Sequence, residues 1–390
     1  MSGVFIHDGR RSGHHTWAVN AISAGMADGI FISPFASPRF RIPRYMSGLD
    51  FGARASGAGG EIVFDPMTHA RFLPGANRTD LYDTWELWGA DGARVDTALQ
   101  RQQHVERVFA RQSELGAPSL APTISIDAPG SMSEVTALEL GWVAQGIDQR
   151  AWQSFAASRN FLRSGIQLDA HVGNLVELRS PTWIITVSNE MVVDQSPDLS
   201  DHAAFEGLLR TIHSLSQRSR VIVAYSDFSG LLGVAAGADT VGAGWDRSMR
   251  TLDPAAFHVD SDAGIRIPAS YVTQRGLSAV LRRDAAEAID AWNPAEATRI
   301  RGGSMPPSDQ IERLHHLGSL RHLVELIRVE SDRALRVGVL RSHYETAISD
   351  FDRLIAAVGP AVKTADKTSW STHQYQVLRD YASAEGLWTP

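Results

Sequence analysis

Short apolar, β-branched runs recur through the first two thirds of the chain, each followed by a polar or Gly/Pro turn and then by a stretch with helical periodicity. They lie at residues 29–35 (GIFISPF), 61–66 (EIVFDP), 122–127 (PTISID), 182–190 (TWIITVSNE), 221–227 (VIVAYSD) and 239–245 (DTVGAGW). The runs are continuously apolar, not alternating, so both faces of each strand are buried, as in a parallel sheet covered by helices. A seventh strand is expected at 277–281. The eighth is either 3–7 or a run within a helical stretch, such as 165–172. Helices are expected over 135–162 and 201–217. This alternation predicts an α/β fold, a parallel (β/α)8 barrel of the TIM type; the competing open doubly wound sheet lacks its GxGxxG or Walker A signature here.

From about residue 282 the pattern is helical, with a Pro/Gly-rich break at 301–308 (RGGSMPPS). Beyond it, Leu314, Leu317, Leu320, Leu323, Leu326 and Ile327 form the apolar stripe of one helix, and a second is expected over 333–358. The expected division is a barrel domain, 1–293, and a helical C-terminal domain, 294–390. The stripe must be buried on the barrel, on its own helices or on a partner, so a protein partner or a homo-oligomer is one expected use of these helices.

Composition narrows the chemistry. The 390 residues include no cysteine, which removes thiolate nucleophiles, Cys-bound zinc, iron–sulfur clusters and disulfides. Lys363 and Lys367 are the only lysines, so no barrel lysine forms a Schiff base. Arginine supplies the remaining cationic charge, either through coding composition or for phosphate recognition. The net charge of -7 gives no global field toward nucleic acid, although a local basic groove stays open. No apolar stretch reads as a signal or a membrane span, and a cytoplasmic location is expected.

In a barrel the site forms where strands end, so polar residues closing the apolar runs are the candidates. Asp127, Glu190 and Asp65 are the expected catalytic carboxylates. Asp127 and Glu190 form the favoured pair for acid/base or nucleophilic work at a sugar carbon. Asn189, Tyr225, Asp227, Trp245, Asp246, Arg247, Arg250 and His69 are the expected ligand contacts. A helix-capping role is the alternative for each carboxylate, above all for Asp65, which precedes Pro66. Asp65 and His69 are the most ligand-like pair, but no tight metal-binding spacing occurs, and neither a metal nor a cofactor is expected. Tyr82, Trp85 and Trp88, in an insertion over 77–100, serve either to pack a long loop or as a stacking platform. A second insertion spans 253–271. Gly242 and Gly244 with Arg247 or Arg250 suit a grip on an anionic ligand part, or simply tight strand-to-helix packing.

Asn189-Glu190 at a strand end is similar to the acid/base position of a large clan of barrel glycosidases; that clan's second glutamate has no counterpart near Leu281. The segment 237–250 (GADTVGAGWDRSMR) resembles the nucleophile segment of tRNA-guanine transglycosylase-type barrels. That resemblance implies a nucleobase-type ligand. It also places Gly242 where the family carries its nucleophilic Asp, and the family's zinc cysteines are absent, so the usual covalent exchange is not implied. The reading is a glycosidase- or transglycosylase-like enzyme acting on a sugar, nucleoside or nucleobase-type ligand. The alternative is a non-catalytic barrel that docks a protein or nucleic acid through its helical tail.

Overall fold

The computed structural model describes residues 3–90, 92–188, 192–193, 196–259 and 270–388. Seven parallel strands form one sheet: β1 (Val4–His7), β2 (Gly29–Ile32), β3 (Glu61–Phe64), β4 (Gln153–Ser158), β5 (Thr182–Ser188), β6 (Arg220–Val223) and β7 (Thr240–Ala243). Their order across the sheet is β3-β2-β1-β7-β6-β5-β4. Every neighbouring pair is consecutive in the chain except β1 and β7, which join the first strand to the last through Val4↔Val241, Phe5↔Gly242 and Ile6↔Ala243. An arrangement that pairs its ends in this way curls, and its two edges, β3 and β4, are successive strands.

Residues 120–126 run beside the β4 edge, bridging in parallel at Leu120↔Trp152 and Ile126↔Ala157. Pro122 has no N–H to donate, which explains why the run touches β4 at its two ends without forming a continuous ladder. A single side chain then spans from this run to β3. Gln112 sits on the helix Ala98–Glu114 and is fully buried. Its amide nitrogen donates to Phe64 O (3.1 Å) and Leu120 O (3.0 Å), while its carbonyl oxygen accepts from Leu120 N (2.9 Å). The amide does the work of a missing backbone ladder.

Five of the six expected strand runs are strands of this sheet, and residues 3–7 supply the first. Two expectations are corrected. Residues 153–158 were expected inside a long helix; instead that helix stops at Ile147 and β4 follows. Residues 279–282 are not a sheet strand, but pair antiparallel with Tyr271–Gln274 in a separate hairpin. Residues 166–177 are helical.

Among the helices, α1 is His14–Ser23, α2 is Gly48–Gly57, α3 is the Gln112-bearing Ala98–Glu114, α4 is Met132–Ile147, α5 is Ile166–Glu177, α6 is His202–Leu215 and α7 is Gly230–Ala236. Then follow α8 (Arg283–Trp292), α9 (Pro294–Arg301), α10 (Asp309–Arg328), α11 (Arg333–Val358) and α12 (His373–Ala384). The helix α10 packs on β1 and between α7 and α1. Leu317, Leu320, Leu323, Val324 and Ile327 belong to the same core cluster as Val4, Phe5 and Ile30, with Leu314 partly buried against it, so most of the stripe is covered by the chain itself, while Leu326 is exposed. Two polar contacts pin α10 near opposite ends of the strands. Arg321 pairs with Asp28, which precedes β2, and His316 pairs with Asp227, which follows β6. The helices α11 and α12 pack outside, on α7 and α6 respectively. Among the described residues no helix is long and apolar enough to cross a membrane.

Replacing Gln112 with Ala strands two carbonyls and one N–H in a dry seam. It is expected to lower unfolding stability by about 3 kcal/mol, at roughly 1–3 kcal/mol per orphaned buried group. Urea unfolding of Q112A against the parent checks this, and a midpoint within error of the parent would show that the seam is held by other contacts.

Candidate functional site at the strand C-termini

Each strand of the sheet ends at the same side of the molecule, and the side chains found there divide into a dry interior and a charged cleft. The interior begins with His7, the last residue of β1. Its ring is stacked between Phe31 (4.5 Å between centroids) and Tyr225 (3.7 Å). Its Nε2 accepts the backbone N–H of Tyr225 at 2.9 Å, which in a neutral ring leaves the proton on Nδ1. Burial, with His69 and His14 nearby, pushes the His7 pKa down to about 3. His14 is likewise held at about 4 by burial, and burial lowers His69 against the pull of Asp65. Nδ1 of His7, Nε2 of His14 and Nε2 of His69 are buried with no hydrogen-bond partner among the described residues. Unpaired buried polar atoms are uncommon enough to ask what would satisfy them. Among the described residues no group of three or more His, Asp or Glu side chains is placed to hold a metal ion.

Two carboxylates face this interior. Asp8 accepts from Gly9 N (2.8 Å), Ser33 N (3.4 Å) and His15 Nε2 (3.1 Å). Asp65 accepts from Met67 N (2.8 Å), a local turn after β3. Burial and then these two charges raise the Tyr225 phenol well above its ordinary range, so it stays protonated. The backbone here is strained. Of the seven non-glycine residues with positive φ among the described residues, Arg44, Met67, Tyr225 and Asp227 lie in the loops of this end. Left-handed backbone costs on the order of 1–3 kcal/mol per residue and persists where the surroundings enforce it, often at functional sites.

The cleft adjoins this interior, between the loops that follow β1 and β2. It has a volume of about 650 Å³, and Arg10, Arg11, Arg41, Arg44 and Arg54 line it against one carboxylate, Asp50. Arg10 is committed to Asp80 (2.7 Å) and Arg11 to Asp246 (3.1 Å). Arg41, Arg44 and Arg54 make no ion pair among the described residues. The amino end of α1 opens into the same cleft through Gly13, with no side-chain cap and no acidic residue in its first turn. The His14 N–H donates back to Arg11 O (3.1 Å), and the partial positive charge of the helix end adds to that of the guanidinium groups. The loop after β2 is fixed from below, where Trp85 Nε1 donates to Ser37 O (2.8 Å).

The expected residues distribute unevenly over this architecture. Asp65, His69 and Tyr225 come together with His7 and Asp8 in the interior. Asp246 meets the cleft through Arg11. Asp127 is exposed beyond residues 120–126, where its carbonyl accepts from Ser158 Oγ (2.7 Å) and its N–H donates to Ser133 Oγ (3.1 Å). Asn189 and Glu190 lie outside the described residues, as does the side chain of Arg247. Asp227 and Arg250 are buried and hold each other (3.1 Å), with His316 Nε2 donating to the same carboxylate oxygen (3.0 Å). Burial raises the Asp227 carboxyl, yet His316 and Arg250 more than offset it and keep it below its usual value. Trp245 packs against this group, 5.2 Å from the Arg250 guanidinium. A ligand gripped by Arg250 would have to compete with Asp227. Gly242 is closed to any nucleophile, because a Cβ there would meet His7 Nε2 at 2.4 Å. Tyr82 and Trp85 are fully buried against Phe35 and Phe64, and Trp88 stacks on His104, so the insertion's aromatics pack the loop and form no open platform.

The arginine cleft escaped the sequence reading. Its side chains are scattered from 10 to 54 over two loops and α2; the available signal was the pair Arg10-Arg11 and the RIPR run at 41–44, each following an apolar strand.

The neutral histidines set an acid limit on the fold. His7 (about 3) and His14, His104 and His343 (about 4 each) titrate in the folded state below their ordinary 6.5. Below pH 6.5 the unfolded chain therefore takes up protons that the folded chain refuses, and stability falls as pH drops toward 4. Glu312 opposes this trend: burial raises its pKa from 4.5 to about 7, which favours the folded state in acid. Four groups against one leave a net loss on acidification, each proton contributing at most about 1.4 kcal/mol per pH unit. Urea midpoints at pH 7 and pH 5 are expected to differ clearly, with the lower value at pH 5; equal midpoints would contradict the neutral-histidine interior.

No protein-family model matches the chain, and no curated protein matches it. The transglycosylase resemblance thus rests on the 237–250 segment alone. Among solved structures, the crystal structure of a probable tagatose 6 phosphate kinase from Sinorhizobium meliloti 1021 is 14% identical, with 99% of each chain covered and a TM-score of 0.33, too low to carry an assignment.

Proposed function

We propose that the chain closes into an eight-stranded (β/α) barrel, with residues 120–126 as the fourth strand and α10 as the eighth helix. On this reading it is a small-molecule enzyme whose ligand, of sugar or nucleoside type, carries a phosphate or carboxylate into the cleft between the first two loops. The observation that carries the reading is the charge of that cleft, where Arg41, Arg44 and Arg54, without ion-pair partners among the described residues, and a helix end with no side-chain cap stand against the single lining carboxylate Asp50. Arginine forks match tetrahedral and planar oxyanions with paired, charge-assisted hydrogen bonds. The uncharged part of the ligand would then reach the interior, where Asp8, Asp65, His69 and Tyr225 offer proton donors and acceptors. Asp127 and Glu190 complete the proposed acid/base set. Docking of a partner on the α10 stripe is the less favoured use, since that stripe is occupied by the chain's own core.

Titration with inorganic phosphate tests the cleft. The double variant Arg41→Ala/Arg44→Ala is expected to bind phosphate at least about tenfold more weakly, as the loss of one charge-assisted hydrogen bond costs about 1.5 kcal/mol or more. Added salt should weaken binding to the parent. An affinity unchanged in the double variant would dismiss the cleft. For the chemistry, a panel of sugar phosphates and nucleoside monophosphates followed by NMR reads turnover directly. Asp127→Asn and Glu190→Gln are each expected to fold normally and lose it, and full turnover in both would release these two residues from the proposal.

A further inference from the structure

The cleft holds one imidazole whose surroundings differ from those of its neighbours. His15, in the first turn of α1, lines the cleft, and its side chain is 11% exposed. Its ring lies flat on Phe51, 4.0 Å between centroids at 9°. Its Nε2 contacts Asp8 Oδ1 at 3.1 Å and Ser37 Oγ at 2.9 Å. Asp8 is itself anchored by the N–H groups of Gly9 and Ser33, and its side chain is fully buried. A carboxylate accepts and does not donate, so Asp8 fixes the proton of a neutral His15 on Nε2 and leaves Nδ1 as the nitrogen available to a ligand.

From this geometry, and resting on the anion-binding reading of the cleft, we infer that His15 is a further proton-exchanging residue, placed in the cleft itself, with Asp8 as its positioning residue. The proton of a hydroxyl on the anchored ligand passes to Nδ1, the electron pair stays on the ligand oxygen, and the imidazolium so formed is balanced by Asp8 across the ring. The reverse step returns the proton. Nothing is oxidised or reduced. The same arrangement also couples an anion to protonation before any chemistry. A dianion held by Arg41 and Arg44 favours the imidazolium beside it, so binding takes up a proton and tightens as pH falls.

The groups facing His15 limit other sources of such coupling. They are Asp8 just after β1, Arg10, Arg11 and His14 from the same loop and helix, Arg41, Arg44 and Tyr45 from the loop after β2, Asp50 and Arg54 from α2, and Asp246 reaching over through Arg11. Arginines do not titrate near neutrality. Imidazole is the side chain that ordinarily changes charge near neutrality, and the neighbouring His14 is held by burial at about 4.

Sulfate is the probe, because it is a tetrahedral dianion with no proton of its own to exchange near neutrality. Its affinity for the full-length protein is measured by calorimetry at pH 6, 7 and 8. The expected result is severalfold tightening per pH unit toward pH 6, where one proton allows at most about tenfold. In His15→Gln, affinity is expected to stay flat across the same range. A slope in His15→Gln equal to the parent's overturns the inference, and so does a parent without a slope. A parent that binds neither sulfate nor phosphate overturns the cleft reading itself, and this inference with it. Should His15→Gln bind no sulfate, Asp8→Asn decides, since it keeps the imidazole and every arginine. Its slope must shrink, and an unchanged slope overturns the inference.

Discussion

The strand-end architecture depends on one buried carboxylate. Asp227 closes the loop after β6 and is held at once by Arg250, from the segment after β7, and by His316 of α10. His316 passes the link on, its Nδ1 meeting Thr273 Oγ1 at 3.0 Å, while Thr273 N donates to Glu312 at 2.7 Å. A buried ion pair is poor evidence for extra stability, because desolvation consumes most of its attraction. Its effect is to specify position. With Asp227 fixed, the left-handed turn from Tyr225 to Asp227 is enforced, the phenol of Tyr225 is laid on His7, and α10 is seated over β1.

The strand ends therefore separate two electrostatic regimes a few residues apart. Inside, where water is excluded, imidazoles stay neutral and Tyr225 stays protonated, because creating charge there is costly. Outside, in the solvent-facing cleft, Arg10 and Arg11 are paired with Asp80 and Asp246, while Arg41, Arg44 and Arg54 stand without carboxylate partners among the described residues. An anion can be attracted and oriented by the outer region without meeting the inner one. Only its uncharged part has reason to enter. Asp8 touches both regimes, through His15 on one side and the ring interior on the other, and so does His14, which is buried yet lines the cleft.

The sequence made the sheet readable where strands carry consecutive β-branched or aromatic residues, as in IFI of β2, WII of β5 and VIV of β6. It concealed β4 because QSFAAS has no β-branched residue and Phe155 as its one large apolar side chain; Gln153 is nonetheless buried, its amide donating to Gly141 O (3.1 Å). It overstated residues 277–281, whose apolar side chains serve a hairpin outside the sheet. The helical stripe of α10 was visible, but nothing in its spacing says which surface covers it. The site was legible only in part for a related reason. Strand-end polar residues can be found from periodicity, which led to Asp65, His69 and Tyr225. Residues on the helix and loops after a strand, such as His15, Arg41 and Arg44, have no period to betray them, and a chain rich in arginine makes each one unremarkable.

The Gln112 bridge has a consequence for how the molecule breathes. Elsewhere around the sheet, opening a neighbour pair means breaking several backbone hydrogen bonds together. Between β3 and residues 120–126 the described link is one side-chain amide, which can swing away by rotating about its own bonds. Local opening is thereby directed to a defined seam, and amide hydrogens along 61–64 and 120–126 should exchange with solvent ahead of those at the β1–β7 junction.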